Sequence, residues 1–150
     1  MYLNSPSKIA ITKLDPSIIQ VEAWEPGIGL IDLEVKEIKS LFKTNAAVLF
    51  TGFQPDMRSF EQFTDQFCSD WMLYQGGAHD RQILNEKTDY TVYSVNIYMG
   101  QEKQYMWELP MHSDMSYQGY HPAILFFYCL KPARNGGETS LCDGLRVYQT

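Results

Sequence analysis

The spacing of apolar positions changes along the chain, and each change predicts an element. Ile31, Val35, Ile38, Leu41 and Phe42 fall at i, i+4, i+7, i+10 and i+11, the stripe of a helix with one buried face. Lys43 suits its last turn, and Asn45 is read as a left-handed stop. The continuous apolar run from Ala46 to Phe50 reads as a buried strand ending at Thr51-Gly52. Ser59 followed by Gln62 fits an S-x-x-Q capping box opening a second helix. Along that helix Phe60, Phe63, Phe67 and Trp71 recur at i, i+3, i+7 and i+11, which is core packing. Tyr90 to Met99, rich in β-branched and aromatic residues, then reads as a strand.

Before and after this stretch the pattern breaks up. Pro6, Pro16, Pro26, Gly27 and Gly29 interrupt the first residues, so 1–30 is expected to be a peripheral arm with short extended pieces. Residues 31–89 carry the helices and the first strand. The remaining 90–150 hold the further strands: Met111 to Tyr117 as an extended segment, Ala123 to Leu130 buried, and Thr139 to Cys142, the last two joined through the turn-rich Lys131 to Gly137. Asp143 stands where an N-cap would open a helix through Leu145, Val147 and Tyr148. There is no internal repeat, and no shift of composition marks a second domain.

Composition narrows the function. In 150 residues, 45% hydrophobic and 20% charged, there is enough apolar material for a core and none of the bias of a disordered tail. Twelve Lys and Arg against eighteen Asp and Glu give a net charge of −6, the wrong sign for gathering nucleic acid or anionic lipid. Cys68, Cys129 and Cys142 are odd in number and without C-x-x-C spacing, so they read as buried free thiols of a reducing, cytoplasmic compartment. The run from Ala123 to Leu130 is too short to cross a bilayer, and the N-terminus has no basic region followed by an apolar stretch.

The chemistry concentrates in His112-Ser113-Asp114. On a strand, residues i and i+2 project from one face, so an imidazole and a carboxylate can converge on one ion without a special turn. One neutral nitrogen and one anionic oxygen make up the sequence-local part of the two-histidine, one-carboxylate triad that holds non-haem Fe(II). Alone, an H-x-D triplet is a weak signal. Its surroundings strengthen it: Met111 to Tyr117, Pro122 before an aromatic-rich apolar run, Pro132-Ala133, Gly136-Gly137-Glu138-Thr139, Asp143, and Val147-Tyr148-Gln149.

These pieces resemble the taurine dioxygenase family of Fe(II)/2-oxoglutarate-dependent oxygenases, most of all its natural-product branch. Ala47 to Phe53 is similar to the family's A-V-L-F-R-G-F strand, with Thr51 where Arg is usual. The resemblance implies an α+β, mainly β fold, a double-stranded β-helix (jelly roll) with flanking helices. It also implies that these residues are the N-terminal half of a single oxygenase domain, with the barrel left incomplete and the segment by itself inactive. His112 and Asp114 are then iron ligands, and Thr139 helps hold the carboxylate of 2-oxoglutarate. Glu108, Asn96 and Tyr98 are substrate-pocket candidates. The second histidine ligand and the arginine that pairs with 2-oxoglutarate are expected after Thr150, so His79 and His121 are not taken for the third ligand. Related halogenases lack the carboxylate ligand, so Asp114 points away from halogenation and to hydroxylation, or another oxidation that begins with hydrogen abstraction from a C–H bond, with Fe(II), 2-oxoglutarate and O2. The substrate class implied is a small molecule, an amino acid or a carrier-bound intermediate.

Two rival readings fit the residues less fully. A non-catalytic binding or interaction module on a barrel-like scaffold needs no metal. A zinc hydrolase built on the H-x-D pair would need further ligands that the chain does not obviously supply.

Overall fold

The computed structural model describes residues 8–72, 83–86, 91–93, 111–132, 134–136 and 138–149. The chain divides into two compact units, residues 1–69 with 128–150, and residues 70–127. The first unit is built on a three-stranded sheet ordered β1-β2-β3, with β1 at Ile9–Asp15, β2 at Ile18–Ala23 and β3 at Ala47–Thr51. β1 and β2 are antiparallel across a tight turn, in which the Asp15 side chain accepts a hydrogen bond from the Ser17 backbone N–H at 3.1 Å. β3 runs parallel to β2, pairing Ile18 through Glu22 with Ala47 through Thr51.

The proline- and glycine-broken arm therefore does not lie at the periphery. Its extended pieces form two of the three strands, and β2 is the middle one, with Val21 fully buried. Local breakers mark the turn and the exit from β2. Strand pairing over long sequence separations decided where the strand lies.

α1 spans Val35–Thr44, starting later than its apolar stripe. Ile31 sits instead in a short 3-10 turn, Leu30–Asp32, closed by the Asp32 carboxylate accepting from the Gly29 N–H at 2.8 Å. That turn buries Leu30 and Leu33 and leaves Ile31 exposed. Lys43 lies in the last turn of α1 as expected. Asn45 is not left-handed: at φ −135° and ψ 144° it is extended, and both its backbone N–H and its Nδ2 donate to the Leu41 carbonyl, at 3.0 and 2.9 Å. The chain runs straight on into β3, because the Ala46 and Ala47 N–H groups bond to the Ser17 carbonyl. A left-handed residue would have turned it away.

α2 spans Met57–Asp65 and is capped by Asp56, three residues before the expected Ser59. Asp56 Oδ1 accepts from the Ser59 N–H and hydroxyl, both at 2.7 Å. Ser59 is thus the donor that is capped, and the anionic carboxylate takes the capping position at the positive end of the helix. These bonds from Ser59 hold the Asp56 carboxyl below its ordinary pKa. The cap's contribution is therefore present above the ordinary carboxylate pKa and is lost as pH falls through the lowered one. Asp56→Asn is expected to destabilise the chain at neutral pH, with the gap to wild type narrowing below about pH 4. Unfolding midpoints measured from pH 2 to 7 test this, and a gap independent of pH would count against it.

The core joins one face of the sheet to both helices: Val21, Leu30, Leu33, Ile38 and Phe63, flanked by Ile9, Ile11, Leu41, Phe42, Val48, Phe50, Phe53 and Phe67. The expected aromatic stripe of α2 does pack here. Phe63 meets Phe50 and Phe67 edge to face with centroids 5.2 and 4.9 Å apart, and Phe60 stacks on Tyr128 at 5.1 Å. The stripe's last member, Trp71, belongs to the second unit, where it lies near Phe126.

The second unit contains an antiparallel pair, β4 at Ile83–Glu86 and β5 at Thr91–Tyr93. β5 begins the strand predicted over Tyr90 to Met99, whose continuation lies outside the described residues. Ala123 to Leu130 is not a buried strand: it has no ladder partner among the described residues, and Leu125, Phe127 and Leu130 are exposed. Its burial still alternates, with Ile124, Phe126 and Tyr128 half-buried. An apolar run can specify alternation by itself, but a strand needs a neighbour to receive its hydrogen bonds. Thr139 to Cys142 is likewise irregular and exposed, so Cys142, like Cys129, is not the buried thiol expected. The described residues thus form an α+β arrangement of small sheets and short helices, not a closed jelly roll.

Candidate metal centre

His112 and Asp114 are brought together, with Nε2 of the imidazole 3.7 Å from Oδ1 of the carboxylate. This is too long for a hydrogen bond. Both groups remain partly open, the His112 side chain 46% and the Asp114 side chain 26% exposed. Two donors that each sit about 2.1 Å from one ion are at most about 4.2 Å apart, so this spacing can share a metal. The donor chemistry, imidazole with carboxylate, suits Fe(II) as well as other divalent ions. Among the described residues no third His, Cys, Asp or Glu joins the pair.

The local backbone differs from the extended segment expected over Met111 to Tyr117. The carbonyl of Ser113 accepts from the Ser116 N–H at 3.3 Å, and that of Met115 from the Gln118 N–H at 2.9 Å, so two successive turns begin within the motif. Met115, third residue of the first turn, has φ +60°, the sign a type II turn requires at that position. It is the one non-glycine with positive φ among the described residues, and Gly or Asn would be the usual occupant. Left-handed backbone costs an ordinary side chain about 1–2 kcal/mol. Burying a methionine is worth about 1.5–3 kcal/mol, and Met115 is only 5% exposed, so burial can hold the strained turn. The Tyr117 hydroxyl also donates to the Met115 sulfur at 3.6 Å. Asp114 is thus the second residue of a turn whose third, Met115, is buried, and His112 just precedes that turn. The sequence offered one sign of this, an apolar residue between two serines and an acid, but alternation on a strand would look the same.

The other candidate residues are placed as follows. Thr139 is exposed on an irregular segment of the first unit, whereas His112 and Asp114 belong to the second. Glu108, Asn96 and Tyr98 lie outside the described residues. Gly136 has φ +68°, so glycine is needed there for the turn itself; a Cβ would meet nothing closer than 3.8 Å. Thr51, at the position of the family's arginine, receives a hydrogen bond from Gln20 Nε2 at 2.7 Å, which ties β3 to β2. Asp143 does cap α3 (Gly144–Gln149), accepting from the Leu145 and Arg146 N–H groups at 3.1 and 3.3 Å. It also accepts from the Ser17 hydroxyl at 3.0 Å, and these bonds, Ser17's foremost, hold its carboxyl below the usual value. None of the described helices is long and apolar enough to cross a membrane.

Comparison with known proteins agrees with the family resemblance. The family model described as taurine catabolism dioxygenase TauD, TfdA family matches residues 10–150. A clavaminate synthase-like protein of Arabidopsis thaliana is 30% identical over 113 residues, covering 75% of this chain and 32% of its own length. The dapdiamide synthesis protein DdaC of Enterobacter agglomerans is 27% identical over 111 residues, 73% of this chain and 31% of its own length. The chain thus matches about a third of the length of these curated relatives. No solved structure matches it.

Proposed function

The chain belongs to the taurine catabolism dioxygenase TauD, TfdA family, and from that premise we propose that it is part of an Fe(II)- and 2-oxoglutarate-dependent oxygenase that hydroxylates a C–H bond of a small molecule. The observation that carries the reading is the His112–Asp114 pair, a nitrogen and an oxygen donor 3.7 Å apart within the family match. His112 Nε2 and an Asp114 oxygen would hold the iron, and the Thr139 hydroxyl would donate to a carboxylate of 2-oxoglutarate. When bound, iron and 2-oxoglutarate supply the oxidation of the substrate by dioxygen. The protein's part is to hold the donors and to orient the substrate, for which Glu108, Asn96 and Tyr98 are the candidates. Names of the two relatives, one clavaminate synthase-like and one in dapdiamide synthesis, favour an amino acid or carrier-bound intermediate of natural-product biosynthesis as the substrate class. The proposed fold of the whole is the double-stranded β-helix.

The test uses the intact protein. Air-free reconstitution is expected to give one Fe(II) per chain, and oxygen uptake is expected to depend on both iron and 2-oxoglutarate. Uptake indifferent to 2-oxoglutarate, or zinc retained in place of iron with hydrolytic activity, would overturn the reading.

A further inference from the structure

We infer that Met115 is the positioning residue of the metal centre, the buried anchor of the turn that aims Asp114 toward His112. This rests on His112 and Asp114 being metal ligands, as proposed above. Along the run 111–127, Met115 is the only buried residue, and it immediately follows Asp114. Its left-handed φ of +60° and the Ser116-to-Ser113 and Gln118-to-Met115 hydrogen bonds define the path of the backbone on both sides of its Cα. The sulfur also receives the Tyr117 hydroxyl at 3.6 Å, which joins the anchor to the next aromatic residue. An ordinary extended residue at 115 would carry the chain on as a strand. With Met115 in place the chain turns directly after Asp114, the Ser116-to-Ser113 hydrogen bond closes around that residue, and its carboxylate lies 3.7 Å from the imidazole. Backbone conformation alone would be better served by glycine, so the side chain is retained for its burial.

Substitution separates these two contributions. Met115→Gly and Met115→Asn both suit a left-handed backbone but lose the apolar anchor, whereas Met115→Leu keeps the apolar bulk and loses only the sulfur. The probe is Co(II) alone, titrated into the intact protein without air and followed by its visible absorption, with the thermal midpoint measured in parallel. We expect affinity to fall about tenfold or more in Met115→Gly and Met115→Asn, with midpoints within a few degrees of wild type, and Met115→Leu to stay within about threefold. Tyr117→Phe, at an exposed position, is expected to lose about threefold. Unchanged affinity in Met115→Gly or Met115→Asn would overturn the inference, as would a loss in Met115→Leu equal to that in Met115→Gly. If Met115→Gly fails to fold, Met115→Asn decides by the same criterion. Wild-type protein that binds no Co(II) would instead refute the ligand assignment itself, so the two failures are distinguishable.

Discussion

Alanine at His112 or Asp114 is expected to lower iron affinity and 2-oxoglutarate-dependent oxygen uptake of the intact protein by at least about a hundredfold, since even partners outside the ligand shell typically contribute ten- to a hundredfold. Each substitution removes one of two donors that lie 3.7 Å apart. The loss should be local, because neither side chain is buried in a core whose collapse would mimic it. His112 is nearly half exposed, and the turn that holds Asp114 is closed by the backbone hydrogen bond from Ser116 to Ser113. Unfolding midpoints are therefore expected to stay near wild type. Asp114→Asn is the informative companion, since it keeps the size and the turn preference but removes the anionic charge. Full iron occupancy and turnover in either alanine variant would sink the ligand assignment, and a collapse of folding in step with the loss of iron would make it a stability effect.

The second large effect is in the fold. Gly52→Ala is expected to destabilise the chain by at least about 3 kcal/mol, a large share of the stability of a typical domain. Gly52 follows β3 with φ +77°, and a Cβ built there would lie 2.1 Å from the carbonyl oxygen of Ala23. Thr51 and Glu22 are paired in the sheet, so the contact falls just where β2 and β3 end side by side. The obstacle is backbone, which cannot swing away as a side chain can. Relief requires parting the two strands, one of which carries the fully buried Val21. Gly52→Asn tests the cause: asparagine tolerates a left-handed φ, but its Cβ meets the same carbonyl, so it should be nearly as harmful as alanine. Urea unfolding of both variants checks this. Rescue by asparagine would assign the effect to φ, and a wild-type midpoint in both would remove the steric argument altogether.

Several features were legible because their cause is local. Asp143 caps α3 through its own side chain and the next three residues, so the sequence position suffices to find it. The apolar stripe of α1 is read from spacing, since a buried face imposes its period whatever it packs against, and the continuous apolar run does become β3, though half-buried with Leu49 exposed and not the buried strand expected. The α2 cap was harder. Asp56 and Ser59 are both good caps, and only their geometry shows that Ser59 donates while Asp56 accepts.

By itself the sequence determined the kinds of donor available at 112 and 114, the two core-facing helix stripes, the family, and the excess of acid that disfavours nucleic acid. Tertiary structure alone decided that a segment broken by prolines becomes the middle of a sheet, and that Ala123 to Leu130 has no partner among the described residues. It also decided that Asp114 of the H-x-D pair lies in a turn and not on a strand. The physical reason is common to all three. Strand pairing and burial of a single methionine are set by neighbours that the local pattern does not name, and their free energy is large enough to override local preference.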